Sequence, residues 1–330
     1  MQLDTLKQII RSSGGGDNAI DYAVALLEKI NRVESATQYS MLLGQLRGAR
    51  EQGHFRGRVL ELNFLDCFLR KGVALEYGAK QGMPGDIDFG WNVEGQKVSI
   101  ELKLLRQDKS TSDSINVQIE DTGASAMFLG NDTRDVARLQ LDLIQKATTR
   151  KFNPKPSAIS INLVGVDVTE LQLGTVDICD CLLAAGGNAL AARHCDPACL
   201  RDSVVGAFEI IAPENLSTSQ KDWIAGIQKL PEGAPHPRDY IHGALFLFRE
   251  PQERAALSYE LCAALVWNSA LVSADVAERI YGALHAVIPE VRSTHRRQSL
   301  ARTAVVRIPL LPIPPLEFHH HQRCLRRILG

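Results

Sequence analysis

Between Val98 and Leu104 apolar and polar side chains alternate with a period of two. Val98, Ile100, Leu102 and Leu104 fall on one side, and Ser99, Glu101 and Lys103 on the other. Successive strand side chains point to opposite faces, so this run predicts a strand with one buried face. Just upstream, Ile87, Phe89 and Trp91 alternate with Asp86 and Asp88. Asn92 to Gln96, with Gly95, supplies turn residues between the two runs, which predicts an antiparallel hairpin. Before the hairpin the period changes. Glu61, Phe64, Leu65 and Phe68 stand at i, i+3, i+4 and i+7, the stripe of a helix with one apolar face.

The same reading extends along the chain. Asp17 or Asn18 caps a helix through about Val33, and a second runs from Ala36 to about Arg50. Ser114 to Ile119 alternates as a third strand. Thr133 to about Arg150 is a helix with Val136, Leu139, Leu143 and Ile144 inward, and Ala158 to Val166 is a buried strand. Val204 to Ile211 and Ala244 to Phe248 read as further strands, and Pro251 to Trp267 and Ser273 to Ala286 as two helices. The expected division is an N-terminal helical segment over 1–50, an α/β domain over 51–250, and a helical extension with a basic, proline-rich tail over 251–330. The middle part has the order helix, three strands, helix, strand, which implies an α/β core with a mixed sheet flanked by helices.

The hairpin carries the candidate chemistry. Asp86, Asp88 and Glu101 share its polar face with Lys103. Carboxylates gathered this way suit a hard divalent cation, and an adjacent ammonium suits charge developing at a phosphorus. A Glu-x-Lys on a strand also fits a solvated polar face with a weak cross-pair. Glu61 borders the helix stripe, where it either approaches the same site or pairs with Arg58; both readings stand.

Taken together, these residues resemble the PD-(D/E)xK superfamily of nucleases, the restriction-endonuclease-like fold. The Glu-x-Lys element is Glu101-Leu102-Lys103. Gly85-Asp86-Ile87-Asp88 is similar to the Gly-x-Ile-Asp of RecB-type nuclease domains, and the thirteen-residue separation of Asp88 from Glu101 is similar too. Gly57 to Gly72 resembles the opening helix of Mrr-type restriction enzymes. The resemblance runs from about Arg56 to Leu105. It implies an αβββαβ core and a Mg²⁺- or Mn²⁺-dependent deoxyribonuclease, in repair or in defence, with RNA left open as a substrate. Asp88, Glu101 and the backbone carbonyl of Leu102 would hold the metal. Lys103 would orient the attacking water, Glu61 would approach from the first helix, and Gln118 would assist the metal's water. Asp86 is the alternative to Asp88. The competing expectation is a non-catalytic nucleic-acid- or protein-interaction domain that keeps the nuclease-like fold.

Composition narrows this picture. The chain has 330 residues, 45% of them apolar, enough for a sizeable core. Its formal net charge of −1 gives no global basic signature for coating nucleic acid. The first residues lack a secretory pattern and no apolar run reaches membrane-spanning length, so a soluble cytoplasmic protein without a membrane partner is expected. The sequence leaves the oligomeric state open, a homodimer included. Of seven cysteines, Cys179, Cys181, Cys195 and Cys199 cluster; their spacing matches no standard zinc or iron–sulfur pattern. Reduced structural thiols are expected there, with a structural metal as the alternative. From Val291 onward eight arginines face one acid, Glu317, in a tail expected to be disordered or weakly packed.

Overall fold

Among the described residues seven strands hydrogen-bond in chain order into one mixed sheet. They are β1 (Glu76–Ala79), β2 (Ile87–Val93), β3 (Gln96–Arg106), β4 (Ser160–Glu170), β5 (Gly243–Arg249), β6 (Leu261–Trp267) and β7 (Glu290–Ser293). Eight α-helices accompany them among the described residues: α1 (Leu3–Ser12), α2 (Ala23–Glu34), α3 (Ser40–Gly48), α4 (Gln52–Leu69), α5 (Asp132–Ala147), α6 (Ile178–His194), α7 (Thr218–Ile227) and α8 (Ala274–Val287). The computed structural model describes residues 1–12, 20, 23–106, 132–170, 176–249 and 261–295. The expected strand Ser114–Ile119, with Gln118, and the tail from residue 296 lie outside the described residues. No helix among the described residues is long and apolar enough to cross a membrane.

Strands β1, β2 and β3 form an antiparallel meander, and β3 then runs parallel to β4 across the α5 connection. β4 and β5 are parallel, β5 and β6 antiparallel, and β6 and β7 parallel. Each sheet face carries its own core. Val98, Ile100, Leu102, Leu163 and Leu265 pack under α1–α4 and α8. Val164, Val166, Phe246 and Val266 pack under α5–α7. Central strands covered on both sides must be apolar on both sides, as β4, β5 and β6 are. Gly165 is a glycine for this packing: a Cβ there would lie 2.5 Å from Leu102 Cδ2, its β3 neighbour.

The stripe of α4 meets the apolar side of β2. Phe64 sits 5.5 Å from Phe89 and Phe68 5.1 Å from Trp91, ring centre to ring centre. Fully buried aromatics of this size each contribute about 1.5–3 kcal/mol of burial energy. Tyr39 fixes the start of β1: its hydroxyl donates to the Leu75 carbonyl and accepts from the Leu75 N–H.

Several expected elements differ. Leu261–Trp267 is a strand, not the end of a helix, because a short apolar run buried on both faces has no period to distinguish the two. With β7 it joins the common sheet, so the sheet continues past residue 250. Val204 to Ile211 is irregular; Gly206 packs so tightly on the Gly186–Gly187 backbone that a Cβ would meet Gly187 N at 2.2 Å. The strand preceding the hairpin is β1, which no alternation announced. Ile87 packs in the core under α5, opposite Phe89 and Trp91.

The hairpin turn is shorter than expected. Only Glu94 and Gly95 separate β2 from β3, at φ 46° and 85°. Two left-handed central residues make a type I′ turn, whose preferred first residue is asparagine. Glu94→Asn is expected to raise the unfolding free energy by about 0.5–1 kcal/mol, read as a higher denaturant midpoint at unchanged slope; a lower midpoint would contradict the turn assignment.

Candidate functional site

The β2–β3 ladder runs from Val93 opposite Gln96 to Phe89 opposite Ile100 and stops there. One residue further, side chains replace backbone carbonyls. The Asp88 N–H donates to Glu101 Oε2 at 3.0 Å, and the Leu102 N–H donates to Asp88 Oδ2 at 2.7 Å. Each carboxylate thus spends one oxygen closing the gap where the strands part. This parting also explains why Ile87 crosses to the other core.

The remaining oxygens, Asp88 Oδ1 and Glu101 Oε1, turn toward one cation. Lys151 Nζ contacts Glu101 Oε1 and lies 3.8 Å from Asp88 Oδ1. Lys146 Nζ adds a second ammonium, 2.6 Å from Glu101 Oε1 and 4.0 Å from Asp88 Oδ2. Lys146 occupies the last turn of α5, where positive charge is favoured by the helix dipole. Lys151 follows directly after Arg150, whose φ of 59° turns the chain back toward the sheet. Glu101 is wholly buried and the Asp88 side chain is 12% exposed. Burial, the neighbouring Glu101 and then Glu61 push the Asp88 carboxyl up to about 7, against the pull of Lys146 and Lys151.

The other sequence candidates take different places. Lys103 is on the same face as Glu101, but its Nζ pairs with Asp142 Oδ1 at 3.1 Å and its side chain is 38% exposed. Asp142 is one turn before Lys146 on α5, so Lys103, Asp142, Lys146, Glu101 and Lys151 form a row of alternating charge. Glu61 is nearly buried on α4 and both its oxygens accept from Arg58 Nη1 at 2.7 Å, as the pairing reading has it, while its charge also reaches Asp88, as the approach reading has it. Its Oε2 lies 2.8 Å from the Tyr77 hydroxyl, and burial followed by Glu61 pushes that phenol up. Asp86 is exposed just before β2 and does not join the pair. The Leu102 side chain is in the core and its N–H is bound to Asp88.

The four cysteines do not form the metal set considered from the sequence. Cys179 and Cys195 are joined in a disulfide, Cα atoms 5.9 Å apart, in place of the reduced thiols expected. They meet because α6 folds back at Gly187, with φ 70°, so its two ends lie side by side. Cys181 is a buried free thiol and Cys199 a partly exposed one. Among the described residues no group of three or more His, Cys, Asp and Glu side chains is gathered to hold a metal ion.

Lys146 and Lys151 join the acid pair although neither is among the candidate site residues of the sequence. A signal existed for Lys146: it stands seven residues after Leu139 and three after Leu143, on the border of the buried stripe. Comparison with known protein families, characterised proteins and solved structures finds no match to this chain.

Proposed function

We propose that this chain is a metal-dependent nuclease of restriction-endonuclease-like fold, hydrolysing phosphodiester bonds in DNA. The observation that carries this reading is the convergence of Asp88 Oδ1 and Glu101 Oε1 on a single positive charge. Two hard oxygen donors that already share one cation fit Mg²⁺ or Mn²⁺, which binds through one or two carboxylates and keeps several waters. The element order supports the same reading, since α4, β1, β2, β3, α5 and β4 follow the αβββαβ order, with β3 and β4 parallel.

Asp88 and Glu101 would hold the metal, with the Leu102 carbonyl beside them. When bound, the metal supplies a water of lowered pKa and neutralises charge on the phosphate. The chain's own contribution is electrostatic. Lys146 and Lys151 provide fixed positive charge beside the acid pair, and Lys103, held by Asp142, provides a third ammonium on the same face. Asp88 loses its proton near neutrality, so its second oxygen becomes a full anionic donor only as the pH rises through about 7.

The non-catalytic reading draws on a different observation: both acids are already paired with lysines, which neutralises the site without a metal. A cleavage assay separates the two. Purified protein with Mg²⁺ or Mn²⁺ is expected to cut or nick substrates in a panel of duplex, single-stranded and branched DNA, and chelation is expected to stop it. Lys103→Ala, which leaves the acid pair intact, is expected to slow cleavage by about 10²-fold. No cleavage of any substrate at any pH between 6 and 9 would leave the interaction-domain reading.

A further inference from the structure

The face of the hairpin that carries the acid pair continues toward the turn as the floor of a groove. Two and four residues before Glu101 on β3 are Ser99 and Lys97. Two and four residues after Asp88 on β2 are Gly90 and Asn92. All four line one cavity of about 800 Å³. Two residues along a strand span about 7 Å, so the groove begins one such step from the carboxylates and runs away from them over the paired strands.

Its walls mix polar groups with apolar ones such as Trp91, Val98 and Ile159, and its charge is positive. Lys80 and Lys97 are exposed, and neither forms an ion pair with a described residue; Glu76 is the single acid in the lining. Gln81 closes the inner wall. Its amide nitrogen donates to Ser99 Oγ and, at 3.2 Å, to Asn162 Oδ1, and its oxygen accepts from the Asn153 N–H at 3.0 Å. This side chain is therefore held rigidly, and the wall is preformed. A cavity of about 800 Å³ has room for one or two nucleotides of a single strand, with their bases as well as their phosphates. Hydrogen-bonding groups beside apolar and aromatic surface, with two ammoniums that have no ion-pair partner among the described residues, suit the phosphates and the base faces of a single strand.

We infer that this groove holds a single DNA strand next to the phosphate that the acid pair attacks, so that the protein acts on single-stranded or locally opened DNA. This rests on the nuclease reading for the position of the reacting phosphate, and its test keeps binding and cleavage apart. The probe is a fluorescein-labelled oligothymidylate, measured by anisotropy in the presence of chelator. Lys80→Ala/Lys97→Ala is expected to weaken binding about tenfold or more at moderate salt, and to flatten the slope of log affinity against log salt by about 1.4, two single-strand phosphate contacts. Lys221→Ala/Lys229→Ala, removing exposed lysines on and just after α7, is the control and should leave both quantities unchanged. Hydrolysis of bis(p-nitrophenyl) phosphate, which needs the acid pair and not the groove, should be equal in wild type and the groove variant. Unchanged affinity and slope in the groove variant would overturn the inference, as would cutting of continuous duplex as fast as of single strands, while the nuclease reading survived. Lysine-dependent binding by a protein that cuts nothing would do the reverse.

Discussion

Asp88→Asn is expected to abolish metal-dependent cleavage and to make the protein more stable. Asparagine keeps an oxygen for the Leu102 N–H, so the splayed end of the hairpin stays closed. It removes the anionic oxygen that faces Lys151, and cleavage should fall by about 10³-fold or more. The stability change follows from the raised carboxyl pKa. The folded protein binds this proton more tightly than the unfolded chain does, so wild-type stability falls as the pH rises from about 4 to about 7 and stays reduced above that. Asparagine does not titrate and escapes this cost. At pH 8, in chelator, the variant should unfold with up to about 4 kcal/mol more free energy than wild type. Below pH 4 the two should coincide. Urea melts across pH 4–8 check this; parallel profiles would mean that Asp88 is not held in the protonation-favouring surroundings described.

Glu101→Gln should lose cleavage to a similar degree, but its stability should change in the opposite direction. Glu101 is wholly buried and joins two ammoniums through one oxygen. An amide in its place leaves Lys146 and Lys151 with Asp88, at 4.0 and 3.8 Å, as their nearest remaining counter-charge. Breaking a buried pair by removing one partner costs about 3–5 kcal/mol. Here both lysine side chains keep some exposure, 19% and 26%, and can withdraw toward solvent, so about 1–3 kcal/mol is expected. Adding Lys151→Met should restore part of the loss, because one ammonium then no longer needs a partner. A double variant less stable than Glu101→Gln alone would show that the lysine contributes by packing, not by charge. The two acids are thus expected to have opposite effects on stability while sharing one proposed role.

The sequence made the strongest periodicities legible. The alternation of β3, the stripe of α4 and the inward side of α5 all appear where the pattern puts them. The spacing of Asp88 and Glu101 also read correctly as a convergence, because a hairpin fixes which residues face each other. What stayed hidden has physical causes. β1 is four residues long with a left-handed Gly78, too short and too irregular to alternate. β6 is buried on both faces and so looks the same read as strand or helix. The lysine partners of Glu101 come from a separate segment, and nothing local to Lys151 points toward the sheet. The Cys179–Cys195 bond depends on one residue, Gly187, reversing a run that otherwise reads as continuous helix.

The substitution of carboxylates for carbonyls beyond Phe89 also bears on the order in which the molecule assembles. The hairpin is local, and its ladder can form early, up to the point where Asp88 and Glu101 meet. Past that point two acids approach each other and repel. The charges that relieve this arrive from Lys146 and Lys151, the latter fifty positions after Glu101. They are delivered only when α5 docks and the chain crosses over to pair β4 with β3. Long-range closures of this kind come late. The acid pair is therefore completed together with the parallel half of the sheet, and a molecule in which α5 has come away loses its site before it loses its hairpin.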